Sequence, residues 1–415
     1  MTAHLIIWTI AILSVAGVII RPYNLPEAIW VVAGSFLLLF LHLIMPLDAL
    51  HGIEKGTDVY LFLLGMMLLA EIAREEKLFD WLAAHAINYA RGSSTLLFLL
   101  IYVVGIIVTI FLSNDATAVV LTPAVAAAVK SAKVKKPLPY LFICAFIANA
   151  ASFVLPISNP ANLVIYGSHM PPLLHWLSTY ILPSLFAISI TYILLYWRLR
   201  GDILQTVETN LTIPPLSREG KTAGISIIAT AIILLTASSI GIQLGLPTAI
   251  SGVLATLIVL VSANKKPWVI LKGISWSVLP LVAGLFIIVE ALDKTGLIAS
   301  LSNILKNEAT QSPTLTAWRS GSIIAFASNL TNNLPSGLIA GNVVQTAGVS
   351  SLIKHFILIG VDLGPNLSVT GSLATILWLV ALRREGENVS ALTFLKLGII
   401  VMIPALLAAF AALLI

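Results

Sequence analysis

The 415-residue chain is 59% hydrophobic and only 10% charged, with a formal net charge of +5. Soluble domains run at about 45–50% apolar and about 25% charged residues, so a hydrocarbon solvent has to take the surplus and the chain reads as an all-α polytopic membrane protein. A single cysteine, Cys144, excludes an intrachain disulfide, a CxxC redox pair and a multi-thiolate metal cage.

In chain order, apolar runs cover 3–20, 25–45, 57–75, 95–130, 137–168 and 174–198. A polar link at 201–221 with Pro214-Pro215 follows, and then runs at 222–242, 246–264, 275–293, 314–346, 350–382 and 390–415. The first run lacks the basic flank of a signal peptide and reads as a retained span. The two sets of runs are copies of one another. At an offset of 219, Gly65 falls on Gly284, Glu71 on Glu290 and Leu78 on Leu297. Further along, Asn114-Asp115 corresponds to Asn332-Asn333, and 157–164 to 370–377. Blocks recurring in one order mark a duplication: repeat one is 1–200, the cytoplasmic linker 201–221 and repeat two 222–415.

The fourth run of each copy is split by a polar cluster into pieces such as 116–129, 314–328 and 334–346. Helices of about 13–15 residues reach only about 20–22 Å, short of the ~30 Å hydrocarbon layer, so these pieces read as arms of a re-entrant hairpin. Each copy is then five transmembrane helices plus one hairpin. An odd number of spans turns the second copy upside down, the inverted-repeat plan of secondary transporters. Lysine and arginine give an independent orientation: 17 fall on one side, 5 on the other, and Lys396 inside the last span. The rich side is cytoplasmic and both termini face outward, as expected in a bacterial inner membrane. Basic residues gathered on one membrane face do not point to nucleic acid.

Backbone released from helix geometry inside a membrane must be buried in protein or line an aqueous cavity. Four such breaks occur: 113–117 (SNDAT), 158–162 (SNPAN), 329–335 (NLTNNLP) and 362–375 (DLGPNLSVTGSLAT). Their Asn, Ser, Thr and Asp side chains, with the helix ends beside them, suit a small hydroxylated or ionic solute near the midplane. The candidate substrate residues are Asn114, Asp115, Thr117, Ser158, Asn159, Asn162, Asn332, Asn333, Asp362 and Ser372. Asp115 and Asp362 are the carboxylates at the breaks, and an intramembrane carboxylate can carry a proton, which makes both candidates for proton coupling. Glu71 and Glu290, near the ends of their spans, read as satisfied interfacial carboxylates. There is no P-loop, catalytic triad or metal-ligand spacing, so neither an enzyme nor a cofactor is expected.

Asn114-Asp115 followed by Leu121-Thr122-Pro123, then Ser158-Asn159, Asn332-Asn333-Leu334-Pro335 and above all the stretch 362–378 (DLGPNLSVTGSLATILW) resemble the bacterial arsenite/antimonite efflux permeases, the ArsB family of the ion transporter superfamily. The resemblance runs essentially end to end. It implies export of arsenite and antimonite coupled to inward proton movement and an elevator-type fold. In some systems it also implies a soluble arsenite-stimulated ATPase as partner. On this plan 93–200 plus 313–415 would slide as a transport unit against a scaffold of 1–92 plus 222–312. Many relatives have an Asp where this chain has Asn149, which shifts the coupling burden to Asp115 and Asp362. One cysteine cannot build a three-thiolate arsenic site, so the expected cargo is the neutral hydroxide, As(OH)3 or Sb(OH)3, met by Asn, Ser, Thr and Asp oxygens and amides. A sodium-coupled dicarboxylate or citrate symporter and a sodium/proton antiporter on the same scaffold remain the alternatives.

Overall fold

A computed structural model describes residues 2–204, 207–208 and 215–415; within the linker, 205–206 and 209–214, including Pro214, lie outside the described residues. The described residues are helical throughout, without a strand among them. The first half contains α1 (Thr2–Ile20), α2 (Glu27–Phe40), α3 (Pro46–Lys55), α4 (Thr57–Glu75), α5 (Leu78–Ala90) and α6 (Ser94–Leu112). It continues with α7 (Asn114–Ala116), α8 (Thr122–Ser131), α9 (Leu138–Ala150), α10 (Pro160–Tyr166) and α11 (Leu173–Ile203). The second half contains α12 (Arg218–Ser239), α13 (Gly245–Ala263), α14 (Trp268–Gly273), α15 (Val278–Lys294), α16 (Leu297–Gln311) and α17 (Pro313–Thr331). It ends with α18 (Asn333–Ala347), α19 (Ser351–Leu363), α20 (Leu373–Arg384) and α21 (Ala391–Ala412).

Among the described residues, six helices are long and apolar enough to cross a bilayer (α1, α6, α11, α12, α13 and α21), or seven if α3 and α4, bent by 51° at their junction, form one span. The helices expected to face lipid do expose large aliphatic and aromatic side chains, such as Ile12, Phe36, Ile228 and Leu254. By contrast α9 is buried along 139–150 and α19 along 356–363. A helix apolar all round belongs at the centre of a large protein, and these two form the inner layer.

Close crossings need small residues where no hydrophobic force separates helix from lipid. At the α4–α13 crossing a Cβ on Gly65 would stand 2.2 Å from the Thr248 carbonyl, and one on Gly252 2.6 Å from the Gly65 carbonyl. Nothing but glycine fits either position.

The duplication is written into the helix bounds. α5 and α16 start 219 residues apart, as do α6 and α17. Both α6 and α17 end on a residue with positive φ, Ser113 (φ 123°) and Asn332 (φ 74°), again 219 apart. This corrects the pairing of Asn114-Asp115 with Asn332-Asn333 by one position: the break residues align, so Asn114 matches Asn333 and Asp115 matches Leu334. Matching Asn to Asn by identity hid the slip; the backbone break reveals it. The arms differ from expectation in length. α6 and α17 have 19 residues each, long enough to span, whereas α18 has 15 and the pieces after Ser113 are shorter still.

Candidate functional site

At the first break, Ser113 leaves helical geometry and its Oγ accepts from the Ala116 amide at 3.4 Å, capping α7. α7 runs into a π-helical turn over Thr117–Leu121 before α8, and π turns recur at functional positions. Thr117 Oγ1 lies 2.8 Å from Thr109 Oγ1, which ties the turn back onto α6. Asn114 Oδ1 accepts from the Asp115 amide at 2.9 Å. The Asp115 carboxylate has no hydrogen-bond partner among the described residues. It lines a cavity of about 60 Å³ together with Ser113, Glu71, Ser275, Pro160 and Leu377. A single water needs roughly 10–15 Å³, so there is room for a solute of a few heavy atoms.

At the second break, Ser158 Oγ accepts from the Leu155 amide at 3.2 Å and donates to the Ile110 carbonyl at 3.0 Å, joining the break to α6. Asn159 caps α10 through Oδ1 to the Ala161 amide at 3.0 Å. Its Nδ2 donates to Asp362 Oδ1 at 2.9 Å. Asn162 Nδ2 donates to the Ser152 carbonyl at 3.0 Å. Asp362 is wholly buried, and its other oxygen lies 2.8 Å from Ser152 Oγ. One turn on, Asn149 Nδ2 donates to Asn366 Oδ1 at 3.0 Å. Asn149 Oδ1 and Asn162 Oδ1 are left without partners among the described residues.

At the third break the scheme recurs with neutral groups. Asn332 Oδ1 accepts from the Leu334 amide at 3.3 Å, and the Asn333 amide donates to the Gly371 carbonyl at 2.9 Å. Asn333 is buried, and its side chain has no hydrogen-bond partner among the described residues. Ser372 caps α20, with Oγ accepting from the Thr375 amide at 3.1 Å. Asn329 anchors the fourth break: Nδ2 donates to the Gly364 carbonyl at 3.0 Å, and Oδ1 accepts from Ser368 Oγ at 2.7 Å.

The four breaks therefore form one linked junction: Ser158 to α6, Asn159 to Asp362, Asn333 to Gly371. Its members divide by what is left over. Thr117, Ser158, Asn159, Asn162, Asn332, Asp362 and Ser372 bond within the junction itself. Asp115 and Asn333 keep free side chains, and only Asp115 lines a cavity of solute size. No lysine or arginine lines that cavity, and neither does Cys144, which is fully buried in α9.

A sequence profile of the citrate transporter family matches residues 5–359. The chain belongs to that family. This family member is 28% identical over 418 residues to the arsenical pump membrane protein of Escherichia coli K12, covering 97% of each chain. It is 28% identical over 361 residues to the arsenical pump membrane protein of Yersinia enterocolitica, covering 84% of each. The crystal structure of the Alcanivorax borkumensis YdaH transporter matches at a TM-score of 0.56 over 88% of this chain and 86% of that one, at 14% identity, a likeness of fold alone. The resemblance to arsenical efflux permeases drawn from the break motifs is borne out, and this member of the citrate transporter family is a membrane transporter rather than an enzyme.

Sequence reasoning missed three members of the site. Glu71 and Ser275 reach the Asp115 cavity from α4 and from the loop before α15. Ser113 was seen only as part of a polar cluster, not as the pivot. An offset of 219 from Asn332 would have singled it out.

Proposed function

We propose that the protein exports the neutral hydroxides As(OH)3 and Sb(OH)3 from a bacterial cytoplasm in exchange for protons, by alternating access. The observation that carries this reading is the set of polar side chains in the otherwise apolar Asp115 cavity: two carboxylates and two hydroxyls, with no thiol, lysine or arginine in its lining among the described residues. A thiol cage would hold trivalent arsenic too tightly for turnover. A carboxylate accepts hydrogen bonds from the O–H groups of the hydroxide instead. On the outer face a proton takes the same oxygens, displaces the cargo, and lets a neutral Asp115 return.

On this reading the helices on either side of Ser113 and Asn332 are re-entrant hairpins, the two copies are inverted, and both termini face outward. The unit 93–200 plus 313–415 moves against 1–92 plus 222–312. Asp362, held by Ser152 and Asn159, is the second carboxylate of the moving unit. A soluble arsenite-stimulated ATPase, where one is used, would meet the cytoplasmic loops.

The family's name favours a second cargo, citrate or another dicarboxylate anion. Arg74 compensates the charge of Glu71, but Asp115 has no basic partner among the described residues and repels an anion, which supports the neutral solute. Everted vesicles decide. Arsenite uptake driven by an imposed proton gradient, without ATP and without sodium, is the expected result. Sodium-dependent citrate transport with no arsenite uptake would replace this reading, and sodium-dependent proton movement alone would make the protein an antiporter.

A further inference from the structure

Glu71 is a buried carboxylate, 4% exposed, that the transport cycle above does not use. Among the described residues it and Asp115 are the only ionisable side chains lining the 60 Å³ cavity; Ser113 and Ser275 are its polar companions, and the rest of the wall is apolar apart from backbone. One turn along α4, Arg74 donates to both Glu71 oxygens, Nε at 2.8 Å and a terminal nitrogen at 2.5 Å. The Arg74 side chain is 44% exposed, so the pair connects the cavity wall to the surface. On the facing wall a Cβ at Gly273 would stand 1.5 Å from a Glu71 oxygen. The C-terminal end of α14 therefore lies flush against the carboxylate.

We propose that Glu71 and Arg74 form the cytoplasmic mouth of the Asp115 cavity, with Glu71 as the station that takes the proton leaving Asp115. The inference rests on the proton-coupled reading above. In the transfer the Asp115 O–H bond breaks and an O–H bond forms on the Glu71 carboxylate, leaving Asp115 as carboxylate. Glu71 then gives the proton to cytoplasmic water, and Arg74 again pairs with the restored charge. The Ser113 and Ser275 hydroxyls are too weakly basic to hold a departing proton, the rest of the wall is apolar, and a bare charge there is costly. Glu71 thus carries the proton, and Arg74 is the positioning residue that holds it.

Several charged groups on elements packed around α4 have partners of their own, while Arg218, Glu219 and Lys221 lie on α12, which also packs against α4. Lys265 bonds to Glu75 and Glu76, Asp58 accepts from the Gly245 amide, Lys55 pairs with Glu290, and Lys272 sits over the Trp268 ring. Glu75 lies 3.9 Å from Arg74, and Asp80 acts on Arg74 through its charge, both beyond the Glu71 contact.

The test uses the full-length protein in everted vesicles and compares gradient-driven arsenite uptake with arsenite–arsenite exchange, which moves no net proton. Glu71→Gln should lower gradient-driven uptake roughly tenfold or more, displace its pH profile and affect exchange far less. Glu71→Asp should restore part of the coupling, and Gly273→Ala, which crowds the carboxylate, should reproduce the split. With Cys144 replaced by Ala, a cysteine introduced by Ser275→Cys should react faster with a membrane-impermeant thiol reagent when Arg74→Ala opens the mouth. A wild-type pH profile in Glu71→Gln together with unchanged labelling in Arg74→Ala overturns this inference while leaving the transport reading standing. If the unaltered protein shows no gradient-driven uptake, the transport reading fails first and the inference falls with it.

Discussion

The two halves of the molecule build equivalent chambers around their break residues, and the chambers differ. The first is lined by Phe62, Met66, Ser113, Asp115 and Pro160. Moved by the repeat offsets, these positions become Leu281, Leu285, Asn332, Leu334 and Leu373, all of which line a second chamber. The first holds about 60 Å³ and a carboxylate, the second about 10 Å³ and a leucine. The two chambers are built from corresponding positions, but only the first has an aspartate at its break. The junction between α9 and α19 is unequal in the opposite sense: Asn149 in the first half stands where Asp362 stands in the second. Charge is thus distributed once per kind of site, which limits the number of uncompensated carboxylates in the low-dielectric interior.

This comparison can be broken at its strongest point first. Asp115→Asn should cut gradient-driven arsenite export by about 100-fold or more while the protein still inserts; persistent gradient-driven export in everted vesicles would remove Asp115 from the coupling step. Giving the second chamber the same charge is the reciprocal experiment. Leu334→Asp places an unpaired carboxylate where there is no room for solvent and should cost about 2.5–3.5 kcal/mol, read as a lower Tm in detergent. An unchanged Tm would show that the chamber opens more widely than 10 Å³. Asp362→Ala strips the acceptor from Asn159 Nδ2 and Ser152 Oγ and should cost about 1–3 kcal/mol by the same measurement. The smallest effect belongs to Cys144→Ser, which should keep arsenite transport; loss of transport at normal expression would restore a thiol to the mechanism.

Much of this was legible in the residues alone. The twelve apolar runs each contain the helices expected of them, because hydrocarbon demands long unbroken apolar stretches and leaves polar breaks conspicuous. Asp115 stood out as a carboxylate beside one such break. α5 and α16 were not read as elements. Helices of 13 and 15 residues carrying Asp80 in one and Lys306 in the other show neither the length nor the hydropathy of a span. The arm read as 314–328 was too short, since Thr331 near the end of α17 bonds back into its own helix and extends it. Glu71 is satisfied, as expected, by Arg74, but position along a span says nothing about the end of α14 that packs against it.

The sequence by itself determined the solvent, the helices, the duplication and the residue types at the four breaks, all of which follow from local hydrophobicity, helix-breaking residues and repetition along one chain. Only the tertiary structure decided which polar groups remain free. That depends on which donor meets which acceptor across more than 200 residues, as Asn159 meets Asp362, and on how tightly helices close around a void. Hydrogen-bond satisfaction is a property of the packed arrangement, and it separates Asp115, without a partner among the described residues, from Asp362, held by Ser152 and Asn159, where the sequence had set the two side by side.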